Sequence, residues 1–388
     1  MISMLLPLLS MPTVTQNFGA PGWSAIAIGM SVGSGGSVLI DFAWSLLGPQ
    51  RVASTHASRR AGVLALATRM RAWVILAVAP LALAAVLVVP SEDRTTTLLV
   101  CSAFLAMGMS GNWFFIGCGR PNAIFLSDLI PRAAAVVLAV TAMELGAPLQ
   151  VYGWLLASAA VVSVIAAHRL AGVTFDDLTG VTALRASIAF RRHKAAIAGR
   201  AISSLYISLP VTLVAFVAPT GVHAFAAADS LLKMVLNVLG SVINAFQRYV
   251  GSSAKVDLLT RLRLAVLVNA GFGAVAGLLI VVFGPFIFML LMSGTLDIGI
   301  GMTLPLAGVV LTTCISRAVG SLGLVAMGRV SAITVSAVVG AVIGVPAIML
   351  GAGLQGAELA LTGMFVAEAA VLIVQVLALS RAIWKNPL

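Results

Sequence analysis

Apolar runs long enough to cross a bilayer recur along this chain, and the gaps between them alternate between rich and nearly empty in Lys and Arg. A crossing helix needs about 20 mostly apolar residues. Such runs lie near 22–47, 73–90, 98–118, 122–142 and 150–168, after a shorter leading run. They resume near 196–218, 223–246, 264–283, 302–327, 330–350 and 356–380. Barrel strands would be about 10 residues long and alternate apolar with polar, whereas Ala337 to Leu350 carries no polar side chain. In hydrocarbon the remaining option is the α-helix, which satisfies its own backbone. The expected fold class is therefore all-α, a polytopic membrane protein of about 12 transmembrane helices. With 61% hydrophobic and only 9% charged residues, the composition excludes an ordinary soluble domain, which carries about 25% charge.

The leading segment, Met1 to Asn17, is short of a full span because Thr13, Thr15, Gln16 and Asn17 crowd its end. It is expected to be a truncated first helix tucked inside protein, or one whose start lies upstream. It has neither the basic leader nor the small-residue cleavage site of a secretory signal.

The 23 Lys and Arg residues set the orientation. Arg51, Arg59, Arg60, Arg69 and Arg71 follow the second span, Arg120 the fourth, and Arg169, Arg185, Arg191, Arg192 and Lys194 the sixth. Arg248, Lys255, Arg261 and Arg263 follow the eighth, Arg329 the tenth, and Arg381 and Lys385 the last. The odd gaps hold only Arg94, while Arg132, Arg200, Lys233 and Arg317 fall within spans. By the positive-inside rule, this is a multi-pass protein of the cytoplasmic (inner or plasma) membrane with both termini cytoplasmic. The net charge of +11 then reflects topology and attraction to anionic lipids rather than binding of nucleic acid, which would call for a soluble basic domain.

Little points to bond-making chemistry. Cys101, Cys118 and Cys314 lie in apolar spans without C-x-x-C spacing, and His56, His168, His193 and His223 are scattered singly, so no metal site, disulfide framework or cofactor is expected. No phosphate-binding loop or nucleophile elbow is present, and the chain is not expected to be an enzyme.

The long polar gap around Gly172 to Lys194 divides the spans six and six. It sets the expected organisation: an N-terminal lobe at 1–171, a cytoplasmic linker at 172–195 and a C-terminal lobe at 196–388. An internal echo agrees with this division. Gly111, Gly119, Arg120, Ala123 and Ile124 recur 209 residues later as Gly320, Gly328, Arg329, Ala332 and Ile333. An even number of spans separates the copies, so they share one orientation. Parallel repeats of this kind place a cavity between two transporter lobes.

Polar stripes run inside the spans. In the eighth, Asp229, Lys233, Asn237, Ser241, Asn244 and Arg248 follow one another at steps of three or four and so share one helical face. A whole polar face in a membrane needs water or other polar helices beside it. The seventh span offers Arg200, Ser204, Ser208 and Thr212, the tenth Thr313, Arg317 and Ser321, and the fifth Asp128 and Arg132 flanking Pro131. Asp128 with Arg132, and Asp229 with Lys233, have the spacing of helix ion pairs. Arg317 has no acid within one turn, so its counter-charge must come from another helix or from a substrate. Desolvated carboxyls such as Asp41 and Glu368 can become neutral by taking a proton, whereas arginine stays charged. The expected central cavity is therefore effectively cationic and suits a phosphate or diphosphate, which arginine grips through paired donors.

These residues resemble a known family. Gly19 to Ala53, with Gly22-Trp23, Asp41-Phe42 and Gly48 to Arg51-Val-Ala, is similar to the opening of Wzx-type polysaccharide flippases of the multidrug/oligosaccharidyl-lipid/polysaccharide exporter superfamily. Trp113-Phe-Phe-Ile-Gly117 leading to Ile130-Pro-Arg132 resembles that family's fourth span and following helix. Ala226 to Asp229 through Gln247-Arg248-Tyr249 resembles its eighth, and Phe283-Gly284-Pro285 its ninth. The resemblance implies a MATE-like pair of six-helix bundles around a cavity that opens to either side. It also implies transfer of a polyprenyl-diphosphate-linked oligosaccharide between leaflets, with Arg132, Arg200, Lys233 and Arg317 touching the headgroup. Asn237 and Asn244 extend that substrate surface along the stripe. If H+ or Na+ drives transport, Asp41, Asp229 and Glu368 are the candidate coupling acids.

Two alternatives share this fold. A cation-coupled multidrug antiporter would favour an acidic or aromatic cavity with few arginines. A peptidoglycan lipid-precursor flippase usually has two further spans, which nothing after Leu388 supplies. A membrane-embedded glycan polymerase would need a large exterior loop with catalytic residues, and the gap near 286–302 holds only Asp297.

Overall fold

A computed structural model describes residues 9–174, 176–177, 207–251, 258–294 and 298–385. The described residues are helical almost throughout, with no strand among them. Ten helical segments are long and apolar enough to cross a membrane, so the chain is an all-helical, multi-pass membrane protein. The two expected spans not among them, 1–17 and 196–218, lie partly outside the described residues. By its contacts the chain divides into two compact units, Ile2–Thr212 and Leu213–Leu388.

Among the described residues, the N-terminal unit contains α1 (Met11–Asp41), followed by α2 (Trp44–Ala53) and α3 (Arg60–Val88). Next come α4 (Arg94–Met107), α5 (Asn112–Cys118), α6 (Pro121–Glu144) and α7 (Gln150–Ala171). The polar cluster expected to end a short first helix lies immediately before a break in α1. Thr15 Oγ1 donates to the Pro12 carbonyl at 3.0 Å and Asn17 Nδ2 to that of Thr13 at 3.0 Å. These side chains meet their polar needs on their own helix, and just after them the helical geometry breaks at Gly19 (φ 70°, ψ −177°), so that α1 is two helices joined at that residue. Pro21, which has no N–H to give the ladder, sits just beyond the kink. Helix α3 also starts earlier than its apolar run, so Arg69 and Arg71, expected in the basic gap after the second span, ride inside it. Helix α1 packs chiefly on α4, α4 on α7, and α6 on α7. Under α2 lies a core of Trp44, Leu64, Met70, Trp113, Phe114 and Phe115, with the two indole rings 5.1 Å apart.

A fixed turn marks the way out of α7. Thr174 offers its backbone N–H (2.9 Å) and hydroxyl (2.8 Å) to Asp177, whose own N–H donates back to Thr174 Oγ1 at 3.2 Å. This is a reciprocal helix-start cap. The backbone N–H and hydroxyl of Thr174 hold the Asp177 carboxyl below the usual carboxylate range.

A short helix, α8 (Pro210–Val217), crosses the division between the units. The C-terminal unit then contains α9 (Val222–Gly251), α10 (Leu258–Leu291), α11 (Ile300–Arg317), α12 (Val330–Gln355) and α13 (Ala357–Lys385). A π-helical stretch, Ala318–Leu324, extends α11. Helix α10 packs chiefly on α11, α11 on α13, and α12 on α13. Large apolar side chains line the outside of α10, where Leu267, Val275, Leu278, Val282 and Phe286 are exposed at helical spacing. Such a surface would be a liability in water and is the ordinary one in lipid.

The internal echo extends to backbone geometry. Gly119 and Gly328 both close a helix in the left-handed region, at φ 66° and 68°. The N–H of Gly119 bonds the Ile116 carbonyl at 3.1 Å, and that of Gly328 bonds Val325 at 3.0 Å. The N–H of Arg120 reaches Phe115 at 2.9 Å, as that of Arg329 reaches Leu324 at 2.8 Å, and Ala123 to Arg120 (3.1 Å) is matched by Ala332 to Arg329 (3.0 Å). Every donor and acceptor in the second set lies 209 residues beyond its counterpart. This is a glycine-closed helix end followed at once by a new helix, in which glycine supplies the left-handed step without Cβ strain.

Nothing lies within 4 Å of a Cβ built at Gly119 or Gly328, so only backbone strain opposes alanine there. Gly119→Ala and Gly328→Ala should each cost about 1 kcal/mol. Exposed Gly62, in the first turn of α3, also has open space, and Gly62→Ala should be neutral or stabilising. Thermal unfolding in detergent checks all three variants, and equal losses at the two turns are expected.

Candidate functional site

Each unit holds a buried carboxylate paired with a cation one turn along the same helix. In the N-terminal unit, Arg132 Nη2 lies 2.6 Å from Asp128 Oδ1, and Asn112 Nδ2 donates to Asp128 Oδ2 at 2.9 Å. Asn112 drew no notice in the sequence, yet it ties the start of α5 to α6. Pro131 has no N–H to give the Ser127 carbonyl, and the helix widens into a π-turn over Phe125–Leu129 just before it. That turn carries Asp128, which is 5% exposed. Arg132 Nε is buried without an acceptor among the described residues.

In the C-terminal unit, Lys233 Nζ lies 2.6 Å from Asp229 Oδ2 on α9, with the Lys side chain 39% exposed and the Asp only 3%. The other Asp229 oxygen is buried and has no hydrogen-bond partner among the described residues. Burying a charge is costly unless it is paired, and each acid has a cation one turn along its own helix. Asn237, one turn beyond Lys233, is partly exposed. The side chain of Asn244 and the whole of Arg200 lie outside the described residues.

Arg317 stands at the end of α11, where the π-helical stretch begins. Its side chain is exposed. Nη1 donates to the Leu236 carbonyl of α9 at 2.9 Å, and among the described residues it forms no ion pair. Among the described residues the hydrogen-bond partner of its guanidinium, which carries five donors, is thus a neutral carbonyl. Ser321 Oγ contacts the Arg317 carbonyl one turn on. The neighbouring Ser316 joins a buried relay across three helices: its Oγ donates to Gln375 Oε1 on α13 at 3.0 Å, and Gln375 Nε2 donates to Ser336 Oγ on α12 at 3.1 Å. Glu368 is buried two turns before Gln375 on α13. Asp41, at the end of α1, accepts from the Ser45 backbone at 3.2 Å and the Ser45 hydroxyl at 2.6 Å. It anchors a turn in which Phe42 and Ala43 both take positive φ, 54° and 59°. Among the described residues, no cluster of His, Cys, Asp and Glu could hold a metal ion.

The structure adds one residue that sequence reading counts in the basic gap between spans. Arg71 on α3 is fully buried. Its Nη1 donates to the carbonyls of Gly108 (3.1 Å) and Ser110 (2.8 Å), its Nε to that of Ala67 (3.3 Å), and its guanidinium lies 5.7 Å from the Trp113 ring. Gly108 and Ser110 form the break between α4 and α5, where helix carbonyls lose their intrahelical partners. Arg71 satisfies them and places a positive charge at a helix C-terminus. The available signal was spacing, since Leu64, Ala67 and Arg71 follow at steps of three and four on one face.

Arg71→Met should leave two carbonyls of that break unsatisfied and cost about 3 kcal/mol. At exposed Arg59 the same substitution should stay within about 0.5 kcal/mol of the parent. Thermal unfolding of the purified variants measures both.

No protein-family model matches this sequence, and no curated protein does. Solved structures do match its fold. The lipid II flippase MurJ in an inward closed conformation aligns with a TM-score of 0.70 at 11% identity, covering 98% of this chain and 86% of that one. The MATE multidrug transporter DinF-BH aligns at 0.58 and 15% identity, covering 98% and 92%. A point mutant of a MATE protein aligns at 0.56 and 13%, covering 99% and 95%. Identities this low speak to fold alone: the chain is a multi-pass, all-helical membrane protein built on the fold that MurJ and MATE transporters share.

Proposed function

We propose that this protein is a flippase that moves a polyprenyl-diphosphate-linked oligosaccharide across the cytoplasmic membrane by alternating access, with both termini cytoplasmic. No bond is made or broken; the sugar and diphosphate cross a polar path while the prenyl chain stays in lipid. The observation that carries this reading is Arg317, an exposed guanidinium inside an apolar helix, tethered to one backbone carbonyl and matched with no acid among the described residues. A charge kept at this depth is usually functional, and a planar fork of donors suits a diphosphate. Lys233 and Arg132 supply further positive charge, each held by its aspartate, and Arg200, Asn237 and Asn244 complete the proposed substrate set.

Coupling to H+ or Na+ would act through Asp229, Glu368 or Asp41. Asp229 is the best placed of the three, because one oxygen pairs with Lys233 while the other is buried and open. A proton taken there would neutralise the carboxylate and release Lys233 to the substrate. A multidrug antiporter and a peptidoglycan lipid-precursor flippase share the fold and are separable by substrate.

Arg317→Ala should abolish transfer of lipid-linked oligosaccharide in proteoliposomes, with the protein still inserted at parental level, and Arg317→Lys should restore only part of it. Full transfer by Arg317→Ala would overturn the role of this residue. Transfer by the parent of an organic cation or of lipid II, but not of the oligosaccharide, would overturn the substrate.

A further inference from the structure

The echoed Gly-Arg turns share one backbone but not one environment. In the N-terminal unit, the Arg120 Nη1 donates to the Leu170 carbonyl at 3.2 Å and the guanidinium lies 5.9 Å from the Phe115 ring. Two contacts on different helices thus fix a cation that is otherwise exposed. Beside it opens a cleft of about 370 Å³ whose lining includes Arg120, Asn122, Leu126 and Leu170. Leu126 is 51% exposed, and Ile130, about one turn further along α6, is 44% exposed. A pre-aimed cation, an open amide and an apolar strip therefore meet within one short stretch. In the C-terminal unit, Arg329 has the same turn, but the position of Phe115 is taken by Leu324. No ring lies beneath that cation, and its side chain makes no hydrogen bond among the described residues.

The polar and apolar parts of the cleft match the two parts of a phospholipid. Arginine binds phosphate oxygens through charge-assisted hydrogen bonds, and basic pockets between membrane helices on the cytoplasmic side are suited to anionic headgroups. Arg120 belongs to a basic, cytoplasmic gap under the orientation proposed above. We propose that the Arg120 cleft is a binding site for one anionic phospholipid of the inner leaflet, with its phosphodiester on Arg120 and Asn122 and an acyl chain along Leu126 and Ile130. This site is separate from the transport residues and stands whatever the transported substrate is.

The test is native mass spectrometry of the full chain in detergent, titrated with phosphatidylglycerol, phosphatidylcholine or inorganic phosphate. Phosphatidylglycerol should be retained over the other two, and Arg120→Ala should weaken that retention about fivefold, the scale of one arginine at a charged membrane surface. Arg329→Ala, on the same turn without the clamp, should leave it unchanged. Equal losses in the two variants would show bulk charge attraction and overturn the site, as would Arg120-dependent binding of inorganic phosphate matching that of the lipid. Should Arg120→Ala fail to fold, Leu126→Trp keeps the charge and fills the cleft. It must also lose the lipid, and undiminished retention by Leu126→Trp would overturn the proposal.

Discussion

Hydrocarbon offers no water to solvate a charge, so each ionic group within a span must find its counterpart in protein, in lipid headgroups or in an aqueous path. This chain meets that constraint in three ways. Asp128 and Asp229 each take a cation from the next turn of their own helix. Arg71 is spent on the carbonyls that the α4–α5 break leaves open. Arg317 alone among these cations is steadied by a single neutral carbonyl and left exposed. The first two solutions consume the charge internally, and the third leaves it available, which is why the functional proposal turns on Arg317.

The same constraint explains where the helices are irregular. Every irregularity frees backbone groups that must be satisfied again, and the residues that do so are specific. Pro131 is accompanied by the π-turn that carries Asp128, and Asn112 reaches across to its carboxylate. The Phe42–Ala43 corner has its left-handed pair anchored by Asp41 on Ser45. Conformational change in a packed membrane helix is easiest where the ladder is already interrupted, so the α4–α5 break and the π-helical end of α11 are the natural places for two conformations to differ.

Much of this was legible in the sequence because hydrophobic length and charge placement act at long range. Span positions, the ion-pair spacings and the 209-residue echo all follow from residue order, and the echo proved to carry hydrogen bonds as well as letters. Other features were hidden by local compensation. Thr15 and Asn17 stand just before the break at Gly19, but residue order does not show that their side chains bond back to their own helix. Arg71 counts with the basic gap between spans because its charge outweighs its spacing, and the broken helix opposite explains its burial. Nor could a string of residues say that Arg317 faces a carbonyl, since Leu236 reveals nothing of its backbone oxygen. The ligand set resists reading for the same reason, because a cavity is a property of several helices at once.

The account rests on the polar face of α9 lining an aqueous path. The most direct test places single cysteines at Asn237 and at neighbouring Val238 after Cys101, Cys118 and Cys314 have been replaced, and measures labelling by a membrane-impermeant maleimide in sealed vesicles. The account predicts rapid modification at position 237 and protection at position 238. Protection of both positions, or equal labelling of both, would contradict it.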